Sequence, residues 1–122
     1  MTEAQHQTAL INWTSLVAKK YPELKLLHHI PNGGSRNKLE AINLKRQGVK
    51  AGVPDLCLPV PRGRYHGLYI ELKTEKGRTS KYQKQWISEL IAQGYLVEVC
   101  RGWQSAVSVL ERYMNLGEFD GA

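Results

Sequence analysis

The stretch GVPDLCLPVPRGRYHGLYIELK, residues 52–73, decides how this chain is read. Two apolar runs flank PRGRYH, a connection rich in Gly, Pro and Arg, which is the pattern of two strands joined by a turn. Side chains two apart on a strand share a face. Leu68, Ile70 and Leu72 therefore share one face of the second run, and Tyr69, Glu71 and Lys73 share the other. On the first run Leu56, Leu58 and Val60 point one way while Asp55, Cys57 and Pro59 point the other. Paired as a hairpin, the runs bring two carboxylates and an ammonium to one surface.

Charge is distributed unevenly around that stretch. The chain of 122 residues carries a net charge of +6. Residues 36–84 hold twelve of the 17 Lys and Arg residues against Glu40, Asp55, Glu71 and Glu75, a net of +8, which leaves −2 for the rest. A basic excess confined to the segment with the carboxylates fits a polyanionic partner, most simply nucleic acid, although a solvated basic face would have the same composition. The length suits one domain with one core, and 42% hydrophobic and 23% charged residues are ordinary for a globular protein. No apolar run nears the roughly eighteen residues of a membrane span. The polar start MTEAQHQ is no signal peptide. Cys57 and Cys100 lie in apolar runs and read as core thiols of a reducing, intracellular compartment rather than a disulfide or metal pair.

Outward from the hairpin, residues 2–20 read as a helix. Thr2 and Gln5 fit a capping box, Leu10, Trp13, Leu16 and Val17 form an apolar stripe, and Pro22 stops it. Glu3 lies in its first turn, where the helix dipole favours an acid. Residues 24–30 are expected to be a strand, ending in HHIPNGGSRN. The Asn32-Gly33-Gly34 turn beside Arg36 and Lys38 has room for a phosphate, or is simply a turn. His28 and His29 alternate faces, so they do not make a zinc site. Residues 35–47 are expected to be a basic helix with Leu39 and Ile42 on its apolar side, Lys45, Arg46 and Lys50 near its end, and Gly48 as cap. After the hairpin, TEKGRT is a charged turn with Lys76 and Arg78. Ser80 opens a helix through Gln93, with Gln83 completing a second capping box and Tyr82, Trp86, Leu90, Ile87 and Ile91 facing the core. YLVEVC, residues 95–100, is a strand; 105–115 is a last helix with Ala106, Leu110 and Tyr113 on one side; residues 117–122 are expected to fray. The order predicts one α/β domain, residues 1–116, with a mixed sheet of about four strands flanked by helices. A right-handed parallel crossover is expected between residues 67 and 99.

One carboxylate from each of two adjacent strands suits Mg²⁺ or Mn²⁺, which take hard oxygen ligands and borrow others from substrate phosphates. Such an ion polarises a phosphoryl oxygen and acidifies a bound water. A lysine two residues along the same strand is placed to orient that water or to neutralise the phosphate. An Asp at a strand start and a Glu-x-Lys at a strand end also occur as ordinary solvated or ion-paired groups.

Gly52-Val53-Pro54-Asp55, a spacer, then Glu71-Leu72-Lys73 resembles the PD-(D/E)xK nuclease motif. With IPNGGSRN, QGVKAGVPDLCL, GLYIELKTEKGRTSKYQKQW and GYLVEVCRGWQSAV in that order, the chain resembles the VRR-NUC (virus-type replication–repair nuclease) family from residue 2 to about 113. The resemblance implies a restriction-endonuclease-like fold. It implies that Asp55 and Glu71 bind the metal with the carbonyl of Leu72, that Lys73 is the catalytic lysine, that Gln83 joins the catalytic set, and that Glu3 approaches the metal. It further implies a stand-alone phage or bacterial enzyme, cytoplasmic in a bacterial cell or infected host, that acts as a homodimer on branched DNA in the manner of Holliday-junction resolvases. Asn32, Gly33, Arg36, Lys38, Lys45, Arg46, Lys50, Arg62, Arg64, Lys76, Arg78 and Lys81 are the expected DNA contacts. A DNA-binding module of the same fold without activity, and a hydrolase of a small phosphorylated substrate, are the alternatives. The intact Asp55, Glu71 and Lys73 weigh against the first, and the +8 segment against the second.

Overall fold

The computed structural model describes residues 1–31 and 37–121. Its elements are α1 (Glu3–Leu16), a 3₁₀ turn (Pro22–Leu26), β1 (His28–His29), α2 (Lys38–Arg46), β2 (Leu56–Leu58), β3 (Leu68–Lys73), α3 (Lys81–Ala92), β4 (Leu96–Arg101) and α4 (Trp103–Met114). The four strands form one sheet in the order β1-β2-β3-β4, antiparallel up to β3, with β4 parallel to it. The expected mixed α/β sheet is therefore present. The parallel β3–β4 pair is joined through α3, since a parallel pair needs a crossover rather than a tight turn.

The hairpin register follows the alternation read from the sequence. Leu56 pairs with Ile70, Cys57 with Tyr69 and Leu58 with Leu68. Leu56, Leu58, Leu68, Ile70 and Leu72 form the buried face, packed with Leu10 of α1 and Ala106, Leu110 and Tyr113 of α4. Each such leucine contributes about 1.5–3 kcal/mol by leaving water. The buried Tyr113 hydroxyl donates to the Val60 carbonyl at 2.7 Å, which ties α4 to the end of the first run. The opposite face carries Glu71 and Lys73 and meets α3. Gly52 makes that approach possible: at φ +95° it abuts α3, and a Cβ there would lie 2.6 Å from the Tyr82 carbonyl.

Several expectations are corrected. Residues 24–30 are not one strand. Local bonds from the Leu24 and Leu27 amides to the Tyr21 and Leu24 carbonyls close a 3₁₀ turn that Pro22 opens, and only His28–His29 pair with β2. Leu24 and Leu27 are buried three apart while Leu26 is exposed, so the apolar run has a period of three rather than two. α1 stops at Leu16, short of Pro22, and Leu16 is 84% exposed. Its buried stripe is Leu10 and Thr14, whose hydroxyl is satisfied by the Ile11 carbonyl at 2.6 Å. α2 begins at Lys38, with the Asn37 side chain accepting from the Glu40 amide at 2.8 Å. None of its residues is buried, and Leu39 is 69% exposed. On α3, Tyr82 (61% exposed) and Ile91 face outward while Leu90 is buried. β4 is the sheet edge, so α3 has only a narrow strip of sheet to cover. Beyond α4, Gly117 and Asp120 bond to the hairpin connection. Gly63 donates to the Gly117 carbonyl at 3.0 Å, Asp120 donates back to the Gly63 carbonyl at 2.9 Å, and Phe119 lies 5.3 Å from the His66 ring. Cys57 and Cys100 are free, buried thiols. Among the described residues no helix is long and apolar enough to cross a membrane.

Candidate active site

Asp55 lies just before β2, where the chain turns into the sheet. Its backbone carbonyl accepts from the Ile30 amide at 2.7 Å and faces His29 Nδ1 at 2.9 Å, so β1 fixes it from one side. Its Oδ2 accepts from the Leu72 amide at 2.8 Å, which ties it to β3. Sequence reasoning missed His29 as a support for Asp55, because the bond runs through a backbone carbonyl and leaves no side-chain pattern.

Glu71 follows on β3 and is 1% exposed. Its Oε2 accepts from Gln83 Nε2 at 3.0 Å and lies 3.4 Å from Lys73 Nζ. Its Oε1 is buried without a hydrogen-bond partner. Burial first, then the Asp55 carboxylate, push the Glu71 carboxyl up to about 8, against the opposing pull of Lys73. Lys73 keeps its ammonium next to Glu71 although it is itself 8% exposed.

Two helix N-termini complete the site. α1 presents Glu3 in its first turn, and one carboxylate oxygen each from Glu3, Asp55 and Glu71 lie within 4.8 Å of one another. α3 presents Gln83 at its third position, where Oε1 accepts from the Ser80 amide at 2.8 Å while Nε2 reaches Glu71. The residues expected to converge on the carboxylates thus do so: Asp55, Glu71, Lys73, Gln83 and Glu3.

The cluster fits a divalent cation. Three carboxylates with oxygens within 4.8 Å of one another repel unless protonated or neutralised, and the buried, unpartnered Glu71 Oε1 favours a positive neighbour. An all-oxygen donor set suits a hard ion.

The expected DNA contacts divide by position. Lys38, Lys45, Arg46, Lys50, Lys76, Arg78 and Lys81 are exposed on α2, the loop after it, the 74–78 turn and the first turn of α3. Arg62 and Arg64 lie in the connection between β2 and β3, at the end of the hairpin away from Glu71. Arg62 pairs with Glu23 at 3.6 Å and Arg64 lies over the Tyr65 ring at 5.6 Å. These two lie apart from the carboxylates, because the turn that joins two strands is remote from their open ends. Asn32, Gly33 and Arg36 lie outside the described residues.

Comparison with known proteins agrees with this fold. A solved structure described as a VRR_NUC domain protein superposes with a TM-score of 0.86 at 38% identity, over 100% of this chain and 95% of that one. The Fanconi-associated nuclease 1 homolog of Schizosaccharomyces pombe is 34% identical over 77 residues, 63% of this chain. The chain spans only 11% of that relative's length. The VRR-NUC domain profile matches residues 1–104, and the chain belongs to that family of nuclease domains.

Proposed function

We propose that this chain is a Mg²⁺- or Mn²⁺-dependent endonuclease that hydrolyses phosphodiester bonds of branched DNA as a homodimer. The observation that carries the metal-dependent hydrolysis is the buried, unpartnered Glu71 Oε1 inside a three-carboxylate cluster with Lys73 at 3.4 Å. Asp55, Glu71 and Glu3 would hold the ion, with the Leu72 carbonyl between Glu71 and Lys73 on the strand. When bound, the ion supplies charge neutralisation at the scissile phosphate and a water acidified toward neutral pH.

The chain's own residues do the rest. Lys73 holds its ammonium beside the carboxylates, where it orients the attacking water and balances charge building on the phosphoryl oxygens. Gln83 fixes one Glu71 oxygen, so the other would be left to hold the ion. The Leu72 amide does the same for Asp55. Lys38, Lys45, Arg46, Lys50, Lys76, Arg78 and Lys81 supply sequence-independent attraction for the phosphate backbone.

The second copy is supported by α2, none of whose residues is buried and whose Leu39 and Ile42 are exposed. A two-fold dimer presents two equivalent sites, which suits the two symmetric cuts of a four-way junction.

The test is cleavage of a mobile four-way junction, a flap and a linear duplex with and without Mg²⁺ or Mn²⁺, beside Asp55→Ala, with sedimentation to fix the oligomeric state. Metal-dependent cutting of junctions, lost in Asp55→Ala while DNA binding persists, is expected. Undiminished cutting by Asp55→Ala would sink the site, and a monomer that cuts only linear DNA would sink the junction reading.

A further inference from the structure

Arg101 ends β4 at the exposed edge of the sheet, and the reaction above makes no use of it. Its side chain turns toward the segment that follows Lys73. One terminal nitrogen, Nη1, donates to the carbonyls of Thr74 at 2.9 Å, Glu75 at 3.2 Å and Gly77 at 2.6 Å. Three carbonyls of one short turn therefore converge on a single cationic donor, which makes these charge-assisted bonds. The turn also closes on itself, with the Gly77 amide donating to the Thr74 carbonyl at 3.1 Å.

That turn lies against the lysine. A Cβ added at Gly77 would stand 3.3 Å from Lys73 Cδ, so the turn covers the aliphatic stem. On the other flank the Gly102 amide, next to Arg101, donates to the Lys73 carbonyl at 3.1 Å. Lys73 is the last residue of β3, where a long ammonium stem ordinarily swings into water. Here it stays buried and points back to Glu71.

We propose that Arg101 is a positioning residue: it pins the 74–77 turn over the Lys73 stem and so holds the ammonium at the carboxylate cluster. This rests on Lys73 being the lysine of the proposed hydrolysis. Displacement of a catalytic group by about 1 Å costs up to roughly 10²-fold in rate, so loss of the clamp shows in turnover rather than in DNA affinity.

The test compares wild type with Arg101→Gln, Arg101→Lys and Gly77→Ala, each first shown to melt cooperatively. Two readouts are taken: acetic anhydride labelling of Lys73, quantified by mass spectrometry of the metal-free protein, and steady-state cleavage kinetics. Arg101→Gln is expected to raise Lys73 labelling at least threefold and to lower kcat about tenfold with KM within twofold. Arg101→Lys, whose ammonium offers three N–H donors where Nη1 shares two among the three carbonyls, is expected to recover most of both. Gly77→Ala perturbs the same contact from the side of the turn and is expected to lower kcat without touching Arg101. Unchanged labelling in Arg101→Gln overturns the inference whatever the activity, as does unchanged kcat in Arg101→Gln when Lys73→Met is inactive. If Lys73→Met itself still cuts, the proposed hydrolysis fails, and labelling alone then decides whether Arg101 positions the lysine.

Discussion

α1 and α3 open with the same device and use it differently. In each, a hydroxyl caps the third amide and a Gln side chain returns to the capping residue's amide: Thr2 with Gln5 at 3.1 and 2.8 Å, Ser80 with Gln83 at 3.2 and 2.8 Å. Gln5 is exposed at its own helix end. Gln83 is half-buried, and its amide nitrogen continues to Glu71. α1 instead reaches the site through Glu3, two positions earlier. A sufficient local reason for a residue thus does not exhaust what it does, because a capping glutamine spends only its oxygen on the cap. What separates the two is where the helix end is aimed, and that is set by the packing of whole helices on the sheet.

The hardest way to break the contrast is to remove the group on which Gln83 acts. Glu71→Ala is expected to lower cleavage by about 10³-fold or more, some 4 kcal/mol in barrier, with DNA binding by gel shift retained. Gln83→Glu and Gln5→Glu then separate cap from site. Both keep an oxygen for the capping bond and lose the amide donor, but only in Gln83→Glu does that remove a bond to Glu71 and set a carboxylate against it. Cleavage is expected to fall about 10- to 10²-fold in Gln83→Glu and to stay within twofold in Gln5→Glu. Equal activity of the two variants would reduce Gln83 to its capping role.

The two caps were legible in the sequence because Ser/Thr-x-x-Gln is a local pattern. So were the two faces of the hairpin strands, including the one shared by Glu71 and Lys73, which follow from alternation alone. The aim of the helices was not. Glu3 and Gln83 were placed by family resemblance, since nothing local says that the first turn of α1 meets carboxylates 52 and 68 residues further on, or that Gln83 reaches back 12 residues to Glu71. The misread strand at 24–30 has a different origin: Leu24 and Leu27 supply apolar residues whose period of three emerges only once Pro22 starts a turn. The outward Tyr82 and Ile91 reflect the edge position of β4, a fact of topology rather than of helix periodicity. Arg101 was invisible because it acts on carbonyls, which every residue carries.

The metal-free site sharpens the contrast through pH. The Glu71 carboxyl is pushed up from about 4.5 to about 8, chiefly by burial. The folded chain therefore holds a proton across that window which the unfolded chain has released, so the Glu71 contribution to stability is complete below about 4.5 and is lost as pH rises through about 8. Metal-free melting temperature is expected to be a few degrees lower at pH 8.5 than at pH 6 on this account. Glu71→Gln is expected to flatten that slope, and Mg²⁺ or Mn²⁺ to raise the melting temperature more at pH 8.5 than at pH 6, because the ion favours the carboxylate. A slope unchanged in Glu71→Gln would mean another group carries it.

The smallest expected effect tests whether the two caps are equivalent as caps. Thr2→Ala and Ser80→Ala each leave a third-position amide without its acceptor, at a cost of about 1 kcal/mol. As structural devices they should match, so the denaturation midpoints of the two variants are expected to shift by similar amounts. Their consequences for cleavage should diverge. Fraying of the first turn of α3 releases Gln83 from a buried carboxylate, whereas fraying of α1 releases Glu3, which is exposed and reaches the cluster only by its tip. Ser80→Ala is therefore expected to lose about threefold more activity than Thr2→Ala at equal stability, measured at saturating metal. If Thr2→Ala is instead the more damaging, Glu3 rather than Gln83 is the helix-borne group on which the site depends.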